Sequence, residues 1–418
     1  MSGRSEINLA IGERLRPAAA RERGSAPAQP ASVDVAIAGA GVIGLAIAWR
    51  LAADGVKVAV FERDEVGTGA SLAATGMLAA ATELEPGGGD LLALALESQR
   101  LWPAFRAEVE RRSGIDIDYR AEGTLEVALG REEVERLRFR HALQKRAGLA
   151  THWLDGADVR AREPALRPAV TAGIFCADDH QVDPRRLVPA LRRAVEACGG
   201  VVLEHHPVDA LDIAGGRVGG VVTAQGLCRA KTVIVANGAW AGELLGSTLA
   251  VPVRPLKGQA LALRTNARTG SLRHVVWTEQ VHLAPKAGGR LMVGATVEEC
   301  GFDRAVTAGA VFALLEGARR ALPSIEDMEI EAIWTGLRPS SDDDAPILGA
   351  TRISGLVLAT GHHRNGILLA PITAQAIRDL VIDGAMTGAA QRFGLDRFAI
   401  AGRDIPHQEE LHATHRQR

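Results

Sequence analysis

Apolar residues along this chain fall into two alternating patterns. Residues 35–38 form a short unbroken apolar run closed by glycines, residues 43–53 carry apolar side chains at helical spacing, and residues 57–61 are again β-like. A run too short for a helix, then a 3.6-residue period, then a second short run predicts a β-α-β unit. Further helices are predicted over 90–112, where Leu91, Leu92, Leu94, Leu96 and Leu101 supply an apolar face, and over 131–146, which is charged on most sides. Past a proline-punctuated stretch, 184–197 reads as a helix with proline in its first turn, and 201–203 as the next strand. Strands return at 232–236, around 276–283 and at 290–293. Lys286-Ala287-Gly288-Gly289 is turn chemistry, which makes the last two neighbours in an antiparallel sheet. The chain closes with an apolar run at 355–359 and a helix over 366–382, where Pro371 is tolerated only near the first turn. β-α-β units at both ends with an antiparallel segment between them predict an α/β fold, its nucleotide domain built from discontinuous pieces and a sheet inserted to cover the ligand.

Composition narrows the class. The 418 residues are 47% hydrophobic and 23% charged, as in an ordinary globular protein long enough for two or three lobes. With 48 basic and 50 acidic side chains the net charge is −2, so no global field draws the chain to nucleic acid or an anionic membrane, and a small-molecule partner is favoured. No apolar run reaches the roughly 20 residues that span a bilayer. Cys176, Cys198, Cys228 and Cys300 form no CxxC pair, so no metal site is expected and the thiols read as reduced, packed residues of a cytoplasmic protein. Residues 1–32 mix Arg, Glu, Ala and Pro and read as a disordered arm rather than a signal peptide, and 399–418 as a flexible tail.

Gly39-Ala40-Gly41-Val42-Ile43-Gly44 is a GxGxxG motif between a strand and a helix, followed by the acid Glu62 at the end of the next strand. Gly39 allows the tight turn, Gly41 lets a pyrophosphate approach the backbone, Gly44 lets helix and strand pack closely, and Glu62 can accept from a ribose. This context points to a dinucleotide but leaves FAD and NAD both open. The small-residue run from Gly67 through Ala70, Ser71, Thr75 and Gly76 to Met77 and Leu78 suits backbone contact with a bulky flat group, although a surface loop can share its composition.

These segments resemble the FAD-dependent D-amino-acid oxidase superfamily, and within it the glycine oxidases of thiamine biosynthesis. The resemblance runs from Val33 to about Phe398 and is carried by Gly39 to Gly44 with Glu62, by Ser71 to Leu78, and by DDHQVDPRRL, ANGAW, PLKGQ, WTGLRP and GHHRNGILLAP. It implies a Rossmann-type FAD-binding domain over 33–112, 177–250 and 336–398, and a substrate domain over 113–176 and 251–335. It implies non-covalent FAD held by Val42, Ile43, Glu62, Arg63, Ala70, Ser71, Thr75, Gly76, Met77 and Val208. A closing loop of His362, His363, Arg364, Asn365, Gly366, Ile367 and Leu368 completes the set, and a helix starting near Gly366 would aim its amides at the pyrimidine ring.

The resemblance assigns the substrate carboxylate to Arg338, whose guanidinium can grip it with two parallel hydrogen bonds; an interdomain salt bridge to Asp342-Asp343-Asp344 is the alternative. Arg364 is a second candidate cation or a structural one. His282 stands where the family pattern has a tyrosine, as a donor to a carboxylate or as a packed residue. The implied reaction is oxidative deamination of glycine or another small amine, with hydride passing from Cα to flavin N5 and dioxygen reduced to peroxide. A homotetramer is implied as well. Rival readings are a D-amino acid dehydrogenase, a sarcosine oxidase, the oxidase half of a tRNA-modifying enzyme, and a flavin-binding scaffold without turnover.

Overall fold

The computed structural model describes residues 28–398. The tail 399–418 and residues 1–27 of the arm lie outside this range. The arm's last residues join the fold, since Gln29 exchanges hydrogen bonds with Thr223 and Gly226, and strand β1 (Ser32–Ala38) begins at Ser32.

Two eight-stranded sheets organise the chain. In the first, β1 lies between β2 (Val58–Phe61) and β11 (Gly226–Val235); β8 (Val201–Leu203) flanks β2, and β18 (Leu356–Thr360) flanks β11, all parallel. Antiparallel β17 (Ile347–Ala350) closes that edge, and β9 (Ala210–Ala214) and β10 (Arg217–Thr223) extend the early part of β11. Side chains alternate across this sheet. Val35, Ile37, Val58 and Val60 pack with helices α1 (Val42–Ala53), α3 (Gly89–Ser113), α5 (Pro184–Ala197) and α7 (Ala370–Asp383), whereas Ala36, Ala59, Phe61, Val233 and Val235 form a separate core on the other face. α1 is apolar nearly all round because α5 and α7 pack against it as well as the sheet.

The second sheet runs β16 (Glu329–Ser341), β12 (Val253–Arg264), β15 (Arg290–Gly294), β14 (His282–Lys286), β13 (Val275–Trp277), β4 (Thr124–Ala128), β6 (Ala172–Cys176) and β5 (Thr151–Asp155). It is antiparallel except at the β13–β4 pair. Its core packs under α6 (Ala308–Ala321), while α4 (Arg131–Arg146) buries only Leu137 and Gln144. A short ribbon of β3 (Met77–Leu78) and β7 (His180–Gln181) and the single turn α2 (Ala70–Ala73) sit between the sheets.

Two expectations from the sequence need correction. The run 276–283 is two strands, because Thr278 Oγ1 accepts from the Gln280 and Val281 amides and turns the chain between β13 and β14. The last helix begins at Ala370, not Gly366: Pro371 occupies its first turn, and His363–Asn365 form a separate 3₁₀ turn ahead of it. No helix among the described residues is long and apolar enough to cross a membrane.

Candidate active site

The GxGxxG turn is built by close backbone approach. Gly39 has φ of +106°, and a Cβ there would stand 2.6 Å from the Ala236 carbonyl oxygen at the end of β11. A Cβ on Gly44 would stand 2.0 Å from the Gly39 carbonyl oxygen, so α1 can start this close to β1 only without side chains at both positions. The first helical amide, Val42 N, donates to Ser71 Oγ at 2.9 Å, which ties α1 to α2. Glu62 accepts from the Ala40 amide at 2.8 Å and from the Asp64 amide at 3.0 Å. Those two bonds fix the carboxylate at the cavity wall with acceptor capacity to spare.

From this turn a cavity of about 920 Å³ extends between the two sheets, within the range of small-molecule and cofactor sites. It brings together Gly39, Gly41, Val42, Ile43, Glu62, Arg63, Ala70, Ser71, Thr75, Gly76, Met77 and Val208, then His362 to Ile367, and finally His282 and Arg338. Gly44 and Leu368 do not line it. Gly44 faces Gly39, and Leu368 is buried with its carbonyl accepting from Ser98 Oγ and Trp102 Nε1. The residues present fit a flavin dinucleotide: an anion-favouring helix start, a carboxylate at the wall that can accept from a ribose, and small residues along one continuous groove. Asn237, beside the Gly39 turn, also lines the groove, and its Oδ1 is a buried acceptor without a donor among the described residues.

At the far end Arg338 stands on β16 opposite Leu256 of β12. Its guanidinium lies over Gly258, where a Cβ would be 2.5 Å from Nη1 and 2.6 Å from Nη2. Nη1 donates to the Thr296 carbonyl at 3.0 Å and more weakly to the Lys257 carbonyl at 3.4 Å. Among the described residues no carboxylate pairs with it. Glu83, whose charge it feels, is engaged by Arg364, and the acids 342–344 are committed to Arg254, Arg397, Ser340 and His363. Burial lowers Arg338 from the usual guanidinium range, Glu83 opposes that shift, and Arg364 adds to it. A desolvated guanidinium without an ion-pair partner in a groove is a strong donor site for a carboxylate.

The other two candidates are placed differently. Arg364 lines the cavity, but its guanidinium is spent on Glu83 and on Glu85 at 3.1 Å. His282 bonds Thr75 Oγ1 through Nε2 at 2.9 Å, with its ring 5.0 Å from that of Trp277. Burial first, then Arg338 and Lys286, push its pKa down to about 3, so it is a neutral imidazole. Within the closing loop His363 has φ of +47°, a left-handed conformation uncommon for a non-glycine residue. Sequence reasoning missed Glu83, Gly258, Trp277, Asn237, Trp240, Gly294, Ala295, Val297, Glu299 and Arg304, all of which line the cavity. Only Gly258, Asn237 and Trp240 fall within motifs already singled out, PLKGQ and ANGAW.

Residues 34–380 match the model of the family described as FAD dependent oxidoreductase (DAO). This chain belongs to that family. A glycine oxidase from Geobacillus kaustophilus (strain HTA426) is 38% identical over 353 residues, spanning 83% of this chain and 92% of the relative. A crystal structure of glycine oxidase from that species superposes with a TM-score of 0.83 at 36% identity, covering 88% of this chain and 99% of the other. A bifunctional ThiO/ThiG protein from Synechocystis is 38% identical over 371 residues, but those span only 54% of its length against 87% of this chain. The chain is thus a glycine oxidase-like FAD-dependent oxidoreductase, and family membership implies FAD, an amino acid substrate and dioxygen.

Proposed function

We propose that this enzyme oxidises glycine, or a comparably small amine such as sarcosine or a small D-amino acid, to the 2-oxo acid and hydrogen peroxide, with release of ammonia from a primary amine or methylamine from sarcosine. FAD, when bound, accepts the two electrons of the substrate Cα–H bond and passes them to dioxygen. The chain's own residues do the rest. Arg338 takes the substrate carboxylate in a bidentate grip, and Gly258 beneath it leaves room for the guanidinium to lie flat. His282, held neutral and anchored to Thr75, adds polarity without a charge that would repel a cation or compete for the carboxylate. No acid or base is required at the reacting carbon, because a neutral amine supplies the electron push and the protein supplies position and desolvation. The imine product hydrolyses in water, which for glycine yields glyoxylate and ammonia.

The observation that carries this reading is the Arg338 guanidinium in the groove, which no carboxylate of the described residues pairs with. Kinship with glycine oxidases favours glycine, and kinship with a protein named ThiO/ThiG favours service to thiamine thiazole synthesis. None of the four cysteines lines the cavity, which favours non-covalent FAD. A cytoplasmic homotetramer completes the reading by resemblance. The test is an aerobic screen of purified yellow protein with peroxide detection. Peroxide with glycine, at a kcat/KM at least matching D-alanine and sarcosine, is expected. Turnover that requires an artificial acceptor would move the enzyme to the dehydrogenases.

A further inference from the structure

Strand β14 holds one wall of the cavity at two points. His282 and Lys286 are four residues apart on it and so share a face. His282 reaches Thr75. At the other end Lys286, 3% exposed, donates from Nζ to Gln181 Oε1 at 2.8 Å and to the Val182 carbonyl at 2.7 Å. That carbonyl is the surface on which Gly76 packs: a Cβ on Gly76 would stand 2.0 Å from it, and Val182 N donates to the Gly76 carbonyl at 2.8 Å. Gln181 is the ladder partner of Met77. Thr75, Gly76 and Met77 face the cavity, so one buried ammonium braces the back of the wall whose front meets the cofactor.

We propose that Lys286 is a positioning residue for FAD: through Gln181 and Val182 it sets the stance of the Thr75–Gly76–Met77 wall and with it the tightness of cofactor binding. This rests on the reading of the cavity as the FAD site and is independent of which amino acid is oxidised. A buried lysine is costly beside an apolar residue of the same length, and here the cost is offset by two bonds aimed at the wall and by neighbouring acids. The groups around it are Asp183 and Asp118, which favour the charged form, and Arg120 and Arg185, which oppose it. Arg290, its ladder partner, is held by Glu331, and His282 on the same strand is neutral.

Burial brings Lys286 down to about 7. Below that point the ammonium donates charge-assisted bonds, and above it a neutral amine donates weaker ones, so the grip loosens as pH rises through neutrality. The test titrates apoprotein with FAD, followed by quenching of flavin fluorescence, at pH values about one unit either side of neutrality, for wild type, Lys286→Met and Lys286→Arg. Wild type is expected to bind more tightly at the lower pH. Lys286→Met should bind about tenfold or more weakly, as loss of one charge-assisted bond implies, with no pH step. Lys286→Arg should bind tightly at both. Wild-type affinity in Lys286→Met, or an unchanged pH step in Lys286→Arg, would overturn the proposal, and the second comparison stands even if Lys286→Met does not fold. Absence of FAD binding in every protein, wild type included, would instead overturn the assignment of the cavity itself.

Discussion

Three histidines line the cavity, and burial holds all of them neutral: His282 and His362 down to about 3, His363 to about 4. His362 bonds Thr373 Oγ1 at 3.0 Å as His282 bonds Thr75. These shifts have a consequence for stability. A histidine with its folded pKa below the ordinary 6.5 contributes fully above that value, and the contribution is lost as pH falls from 6.5 toward 3, where the unfolded chain binds a proton the folded one refuses. Each such histidine adds roughly 1.4 kcal/mol per pH unit to the slope in that window. Urea midpoints measured from pH 7 to pH 4 should fall less steeply for His282→Gln than for wild type; equal slopes would refute a neutral, buried His282. For the same reason kcat/KM should carry no ionisation of His282 between pH 5 and 8.

At the scale of the element, α1 depends on bare backbone at its entry. Gly44→Ala would force α1 away from the Gly39 carbonyl and is expected to cost about 2 kcal/mol or more, with loss of retained FAD. A thermal midpoint and a flavin-to-protein absorbance ratio read both, and an unshifted midpoint would contradict the packing described. This entry was legible from sequence because strand, turn, helix and acid are all local signals, and 131–146, 184–197 and 201–203 were legible for the same reason. The closing loop was not. Apolar periodicity continues from Gly366 into the helix, yet the chain from His362 to Ile367 follows the cavity, and only Pro371 hinted at the later start. Glu83 had no signal in the sequence, since its significance comes from two arginines brought to it from more than 250 residues away. Arg338 was legible as a residue, and its freedom from ion pairs was not: Asp342, Asp343 and Asp344 stood close by in sequence and turn elsewhere in space.

Across the whole molecule the two sheets meet over one groove, and the connection from β15 to α6 forms a strap along it. Between β15 and α6, Ala295, Val297, Glu299 and Arg304 line the cavity, and the strap is pinned by Lys257 to Asp303 at 2.9 Å and by Gln259 to Glu298 at 2.8 Å. Phe302 stacks on Trp240 of the nucleotide side with ring centroids 5.6 Å apart, and Arg63 lies 4.5 Å from the same indole. An aromatic pair of this kind is worth about 0.5–1.5 kcal/mol, so Phe302→Ala should speed FAD release roughly two- to tenfold on dilution. An unchanged release rate would show that the strap does not close the groove. The role proposed for Arg338 is to take a carboxylate in that groove with a guanidinium that no carboxylate of the described residues pairs with. Its most direct test is the kcat/KM for glycine of Arg338→Ala measured on protein shown to retain FAD. A fall of about 100-fold or more with the flavin still bound is expected; an undiminished kcat/KM would contradict the account.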